Sequence, residues 1–140
     1  MNANRAQVLL VDDDPSTRTL LTAVLERQGW IPDVACDGEQ ALQKLRKGRY
    51  RAILLDLLMP RINGFEVLHA LRAQQPEILP NVIVLTAASD HTLRDFPDTG
   101  RICSLLRKPF DNAELLRLVD GCLSREVGER SPAAASRASS

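Results

Sequence analysis

The sequence has no excess of either charge: eighteen lysines and arginines stand against eighteen aspartates and glutamates over 140 residues. A balanced chain presents no broad electrostatic footprint for nucleic acid or an anionic membrane, so direct nucleic-acid binding is not expected. Cysteine is scarce as well. Cys36, Cys103 and Cys122 are widely spaced and form no Cys-x-x-Cys pair, which excludes a disulfide frame and a thiolate zinc site and suits a reduced, cytoplasmic setting. The two histidines, His69 and His91, belong to no motif and read as structural or surface residues rather than as phosphate relays. No apolar run approaches membrane-spanning length, and "MNANRAQ" is not followed by a signal-type apolar core, so neither membrane insertion nor secretion is expected. There is no internal repeat.

What the chain does have is alternation. Short runs rich in Val, Ile and Leu fall at Val8–Val11, Ala52–Leu55, Val82–Leu85 and, less cleanly, Ile102–Leu106, as strands buried on both faces of a parallel sheet require. Between them, apolar residues recur at helical spacing: Leu20, Leu21, Val24 and Leu25; Ala41, Leu42 and Leu45; Phe65, Leu68 and Leu71; Leu115, Leu116, Val119 and Leu123. Asp14 followed by Pro15 has the form of an N-cap and first helical residue, and Gly29 and Gly48 fall where helices should stop. A further strand at Ile31–Cys36 contains Pro32, which lacks a ladder donor and places that strand at an edge. Ser89–Gly100 carries the weakest helical pattern and predicts at most a short fourth helix with a mobile loop. Residues 125–140 are small, polar and aperiodic, and are expected to form a disordered tail too short for an output domain. The pattern predicts one α/β domain: a doubly wound, five-stranded parallel sheet with helices on both faces, binding its ligand beyond the carboxyl ends of the strands.

Those strand ends carry the chemistry. The first run, "VLLVDDD", ends in Asp12 and Asp13; the third ends in Asp56, the fourth in Thr86, and the fifth just before Lys108. Asp14 alone can cap the first helix, which leaves Asp12 and Asp13 unexplained. Three converging carboxylates repel by roughly 4 kcal/mol per pair at an effective dielectric near 20, so a cation is expected among them. Hard carboxylate oxygens without histidine or thiolate select Mg²⁺ or Mn²⁺ over zinc, and Mg²⁺ keeps waters that a phosphate can replace.

"VLLVDDD", "AILLDLLMPRING", "VIVLTAA" and "LLRKPF" occur in this order, and over residues 6–124 the chain resembles the receiver domain of bacterial two-component response regulators. The resemblance implies a flavodoxin-like sheet with strand order 2-1-3-4-5 and a phosphoacceptor at Asp56. It also implies Mg²⁺ held by Asp12, Asp13, Asp56 and the Leu58 backbone carbonyl. By the same resemblance, Thr86 and Lys108 hold the phosphoryl oxygens, and Pro109 follows a cis peptide. The implied partners are a sensor histidine kinase or histidine phosphotransfer protein as donor and a downstream protein target. The chain would then promote its own phosphorylation and dephosphorylation rather than turn over a separate substrate. One departure is visible: Leu105 stands where the family usually carries Tyr or Phe, which removes the usual aromatic readout. Leu58 and Ala88, two residues after Asp56 and Thr86, offer an attacking water no hydrogen bond, so slow hydrolysis of the acyl phosphate is expected. Three readings compete. One is an Asp-nucleophile phosphohydrolase, which needs a general acid two residues after the nucleophile, where Leu58 stands; the second is a receiver-like module that is never phosphorylated; the third is a receiver cut from a longer protein.

Overall fold

The computed structural model describes residues 7–57, 59, 63–87 and 102–126. Five parallel strands, β1 (Gln7–Val11), β2 (Ile31–Ala35), β3 (Ala52–Asp56), β4 (Val82–Thr86) and β5 (Ser104–Arg107), form one sheet in the order β2-β1-β3-β4-β5. Among the described residues four helices accompany them: α1 (Pro15–Arg27), α2 (Gly38–Lys47), α3 (Gly64–Gln74) and α4 (Asn112–Glu126), with a 3-10 turn over Pro76–Asn81. No helix among the described residues is long and apolar enough to cross a membrane.

Successive side chains of a strand point to opposite faces, and here both faces are covered. Leu9, Val11, Ile53, Leu55, Val82 and Val84 pack with Ala41 and Leu45 of α2 and Phe65, Leu68 and Leu71 of α3. Val8, Leu10, Ala52, Leu54, Ile83 and Leu85 pack with Leu21 and Leu25 of α1 and Leu115, Val119 and Leu123 of α4. This double burial is why the strands read as continuous apolar runs rather than as alternating ones. Pro32 lies on edge strand β2 opposite Val8. There an anchor forms: Asp33 accepts from the Tyr50 hydroxyl at 2.6 Å and from Lys44 Nζ at 2.9 Å. Burial and the Asp33 carboxylate push the Tyr50 hydroxyl up to about 12. Burial alone would raise Asp33, but the Tyr50 and Lys44 hydrogen bonds and the lysine charge outweigh it and hold its carboxyl below the usual range.

Helix ends follow the signals in the sequence. Asp14 accepts from the Ser16 amide with Pro15 at the first position of α1, and Gly29 takes φ 87° just beyond its end, a left-handed conformation that glycine adopts without steric penalty. Gly48 ends α2 in extended backbone instead. At α3, Asn63 and Glu66 form a reciprocal capping box. The fifth strand is shifted from its expected position: Ile102 and Cys103 lead into it, with the Cys103 amide donating to the Val82 carbonyl at 2.8 Å, and the strand proper begins at Ser104. An edge strand exposed on one side does not need the apolar run that marked the others. Residues 125 and 126 continue α4; the rest of the tail, the Ser89–Gly100 segment, Leu58 and Ala88 lie outside the described residues.

Candidate functional site

β1 and β3 pair directly, with Val11 opposite Leu55, so the residues that follow, Asp12 and Asp56, meet at the carboxyl end of the sheet. A ligand oxygen from each of Asp12, Asp13 and Asp56 can be chosen so that all three lie within 4.8 Å of one another. Asp12 and Asp56 are buried, whereas Asp13 is exposed. From the other side β5 delivers Lys108, whose Nζ lies 3.4 Å from Asp56 Oδ2 and 3.6 Å from Asp12 Oδ2. The Lys108 amide donates to the Thr86 carbonyl at 2.9 Å, which ties the lysine to the end of β4, where the Thr86 side chain is fully buried. The Lys108–Pro109 peptide is cis. Asp12, Asp13, Asp56, Thr86 and Lys108 thus all stand at the same rim; Leu58, the implied carbonyl ligand, lies outside the described residues.

The charge at this rim is unbalanced. Among the described residues one ammonium faces three carboxylates, and Asp12 Oδ2 is buried with no hydrogen-bond partner. An unsatisfied buried carboxylate oxygen is costly, and a hard divalent cation coordinated by these oxygens would satisfy it. The donor set, carboxylate oxygens only, fits Mg²⁺. The other Asp12 oxygen is already engaged, accepting from the Asp14 amide at 2.9 Å.

Two contributors were not apparent from the motifs. Arg18, one turn into α1, donates from its guanidinium to the Asp12 backbone carbonyl at 2.9 Å and braces the acidic turn; the available signal was an arginine one turn beyond the acidic strand end. Gly64 is the second, and close approach is what demands a glycine there. A Cβ built there would stand 2.5 Å from Leu57 Cα and 3.0 Å from the Asp56 carbonyl carbon, and the Gly64 amide donates to Leu57 O at 2.9 Å. Leu105 is half-buried on β5 and packs against the core cluster beneath α2 and α3.

The response regulator receiver domain family matches residues 8–120. The chain belongs to that family. Among relatives of this receiver domain, the DNA-binding response regulator MtrA of Mycolicibacterium smegmatis is 36% identical over 129 residues, covering 92% of this chain and 55% of MtrA. The CpxR homolog of Haemophilus influenzae is 35% identical, with 87% of this chain and 52% of the relative covered. The receiver domain thus spans about half the length of these curated relatives. Of solved structures, the receiver domain of a sensor histidine kinase from Pseudomonas aeruginosa, with magnesium coordinated in its active-site cleft, is 31% identical at a TM-score of 0.76. The match covers 86% of this chain and 98% of that one. TrrA of Thermotoga maritima, in complex with Mg²⁺-BeF, is 34% identical at a TM-score of 0.74, covering 84% and 99% respectively. The protein is therefore a two-component signalling receiver, and its acidic rim is of the kind at which receiver domains bind Mg²⁺.

Asp13 and Asp14 are adjacent in sequence but separate in role. Asp14 accepts from the Ser16 amide at 3.3 Å and from the Thr17 hydroxyl at 2.7 Å, and the Thr17 bond holds its carboxyl below the usual range. Asp13 contributes to the carboxylate cluster. Asp13→Ala is expected to weaken Mg²⁺ binding by at least about tenfold, since a unit charge at contact distance is worth several times RT. Asp14→Ala should lower the melting temperature and leave metal affinity unchanged. Metal titrations beside thermal melts check this; equal loss of affinity in both variants would place the ligand pair one residue out of register.

Proposed function

We propose that Asp56 is the phosphoacceptor of this receiver and that its donor is a phosphohistidine on a sensor kinase or phosphotransfer protein. One observation carries the reading: the Asp56 carboxylate sits with those of Asp12 and Asp13 within 4.8 Å, and Lys108 Nζ stands 3.4 Å from its Oδ2. An Asp56 oxygen attacks phosphorus, the phosphorus–nitrogen bond breaks, and its electron pair leaves on the imidazole. The transition state spreads charge over the equatorial oxygens, so the protein must position the nucleophile and surround those oxygens. Lys108 and Thr86 provide that surround from the ends of β5 and β4. Asp12, Asp13 and Asp56 would hold Mg²⁺, with the Leu58 carbonyl as a fourth donor; the ion, when bound, neutralises charge on the transferring group. Support is for magnesium, and the manganese alternative gains none.

Phosphorylation adds negative charge beside Lys108 and Thr86, and the resulting pull on their loops shifts the population toward a second arrangement of a protein-interaction surface. With Leu105 in place of an aromatic ring, transmission runs through the end of β4 rather than through a ring rotation. Leu58 and Ala88 give an attacking water no polar partner, so the domain dephosphorylates itself slowly. The test is incubation with acetyl phosphate followed by intact mass. With Mg²⁺ a single phosphate adduct is expected, and with EDTA none; an adduct equally strong in EDTA would remove the metal from the reaction.

A further inference from the structure

At the opposite end of the sheet, where the strands begin, lies a second concave site of about 850 Å³, within the range of small-molecule pockets. Its lining includes Arg46, Lys47, Arg49 and Arg51 against a single acid, Glu77. A neutral chain has gathered four cations into six consecutive residues, "RKGRYR". Favourable placement at a helix C-terminus accounts for Arg46 and Lys47, which lie in the last turn of α2. It does not account for Arg49 and Arg51, which lie beyond the helix. Lys44, the other cation of that last turn, is neutralised by Asp33, whereas Arg46, Lys47 and Arg49 are exposed and have no carboxylate partner among the described residues.

The walls of this pocket are fixed before any ligand arrives. Gln75 donates to the Leu45 carbonyl at 3.2 Å, Asn81 donates to the Tyr50 carbonyl at 3.4 Å, and the Arg51 guanidinium donates to the Leu123 carbonyl at 3.3 Å. These bonds join segments about 30 to 70 residues apart in sequence, so the cationic rim is carried on a preorganised frame, which lowers the entropic cost of binding. The site is concave and polar, unlike an apolar protein-docking face. The large exposed hydrophobic residues among those described, Leu20 and Val34, lie away from it on α1 and β2.

We propose that this basic pocket binds a small, multiply charged phosphate compound of nucleotide size, at a site separate from the phosphoacceptor rim. Arginine guanidinium groups match phosphate oxygens in fork geometry, and charge-assisted bonds of this kind are among the stronger hydrogen bonds. The half-buried side chains of Tyr50 and Ile78 supply the apolar part of the wall.

Calorimetric titration in EDTA tests this with sodium tripolyphosphate and with ATP, because removing Mg²⁺ silences phosphate binding at the acidic rim. Saturable binding is expected in the parent and, undiminished, in Asp56→Asn. The triple variant Arg46→Gln, Lys47→Gln, Arg49→Gln should bind at least about tenfold more weakly, as the loss of several charge-assisted contacts requires. Amide shifts in the parent should cluster at residues 46–51 and 75–81, which maps the site even if the triple variant folds poorly. Tighter binding of ATP than of tripolyphosphate would assign the nucleoside to Tyr50 and Ile78, and equal binding would assign the site to polyphosphate alone. No saturable binding by the parent, undiminished binding by a folded triple variant, or binding lost in Asp56→Asn would overturn the proposal.

Discussion

Asp56→Asn is expected to abolish the acetyl phosphate adduct while making the metal-free protein more stable. The two effects have one cause. Asp56 is 5% exposed, shares a cluster with two other carboxylates, and has Lys108 at 3.4 Å. The two repulsions, of roughly 3 kcal/mol each, together exceed the roughly 5 kcal/mol attraction of Lys108 at an effective dielectric near 20, and the buried charge adds a desolvation cost. Neutralising the group should therefore raise stability by about 1–2 kcal/mol in EDTA. An aspartate that merely closed a strand would behave in the opposite way, because its loss would remove a favourable contact. Added Mg²⁺ should raise the melting temperature of the parent more than that of the variant, since binding to the native state stabilises by mass action. Intact mass and melts with and without Mg²⁺ check the set. An adduct that survives Asp56→Asn, or a variant that melts well below the parent in EDTA, would contradict the assignment.

How much of this was legible in the sequence follows from where each determinant resides. The sheet was legible because the runs at Val8, Ala52 and Val82 are buried on both faces and must be apolar throughout; Pro32 marked the edge by its missing amide. Asp12, Asp13, Asp56, Thr86 and Lys108 were legible because each stands at or just beyond a strand end in a topology that brings those ends to one rim. β5 begins two residues later and ends one residue later than expected, since Ser104 and Arg107 on an edge strand carry no double-sided apolar demand. The brace from Arg18 to the Asp12 carbonyl depends on a side-chain rotamer, to which periodicity is blind. The demand for glycine at Gly64 was not legible, because the atoms that exclude a side chain there belong to a backbone segment seven and eight residues earlier.

That close approach makes Gly64→Ala the most damaging of the glycine-to-alanine changes among the described residues. The added methyl would press on Leu57 Cα and the backbone of Asp56, and backbone at the end of a central strand cannot yield as a side-chain tip can. Overpacking of this kind costs about 3 kcal/mol, or roughly 10 °C in melting temperature for a domain of this size. Any relief that does occur must displace Asp56 itself, so phosphorylation should slow even in the fraction that stays folded. Gly121 is the internal control. It lies exposed within α4, where an added Cβ would meet nothing within 4 Å, and an alanine there should stabilise the protein by about 0.5–1 kcal/mol by restricting the unfolded chain. The same substitution should thus carry opposite signs at two helical glycines, and paired denaturant melts with adduct formation measured on both variants check it. A Gly64→Ala protein that melts with the parent and labels at the parental rate would show that the strand end carrying Asp56 can shift, and the rim would then owe its geometry to the carboxylates and Lys108 rather than to the packing beneath them.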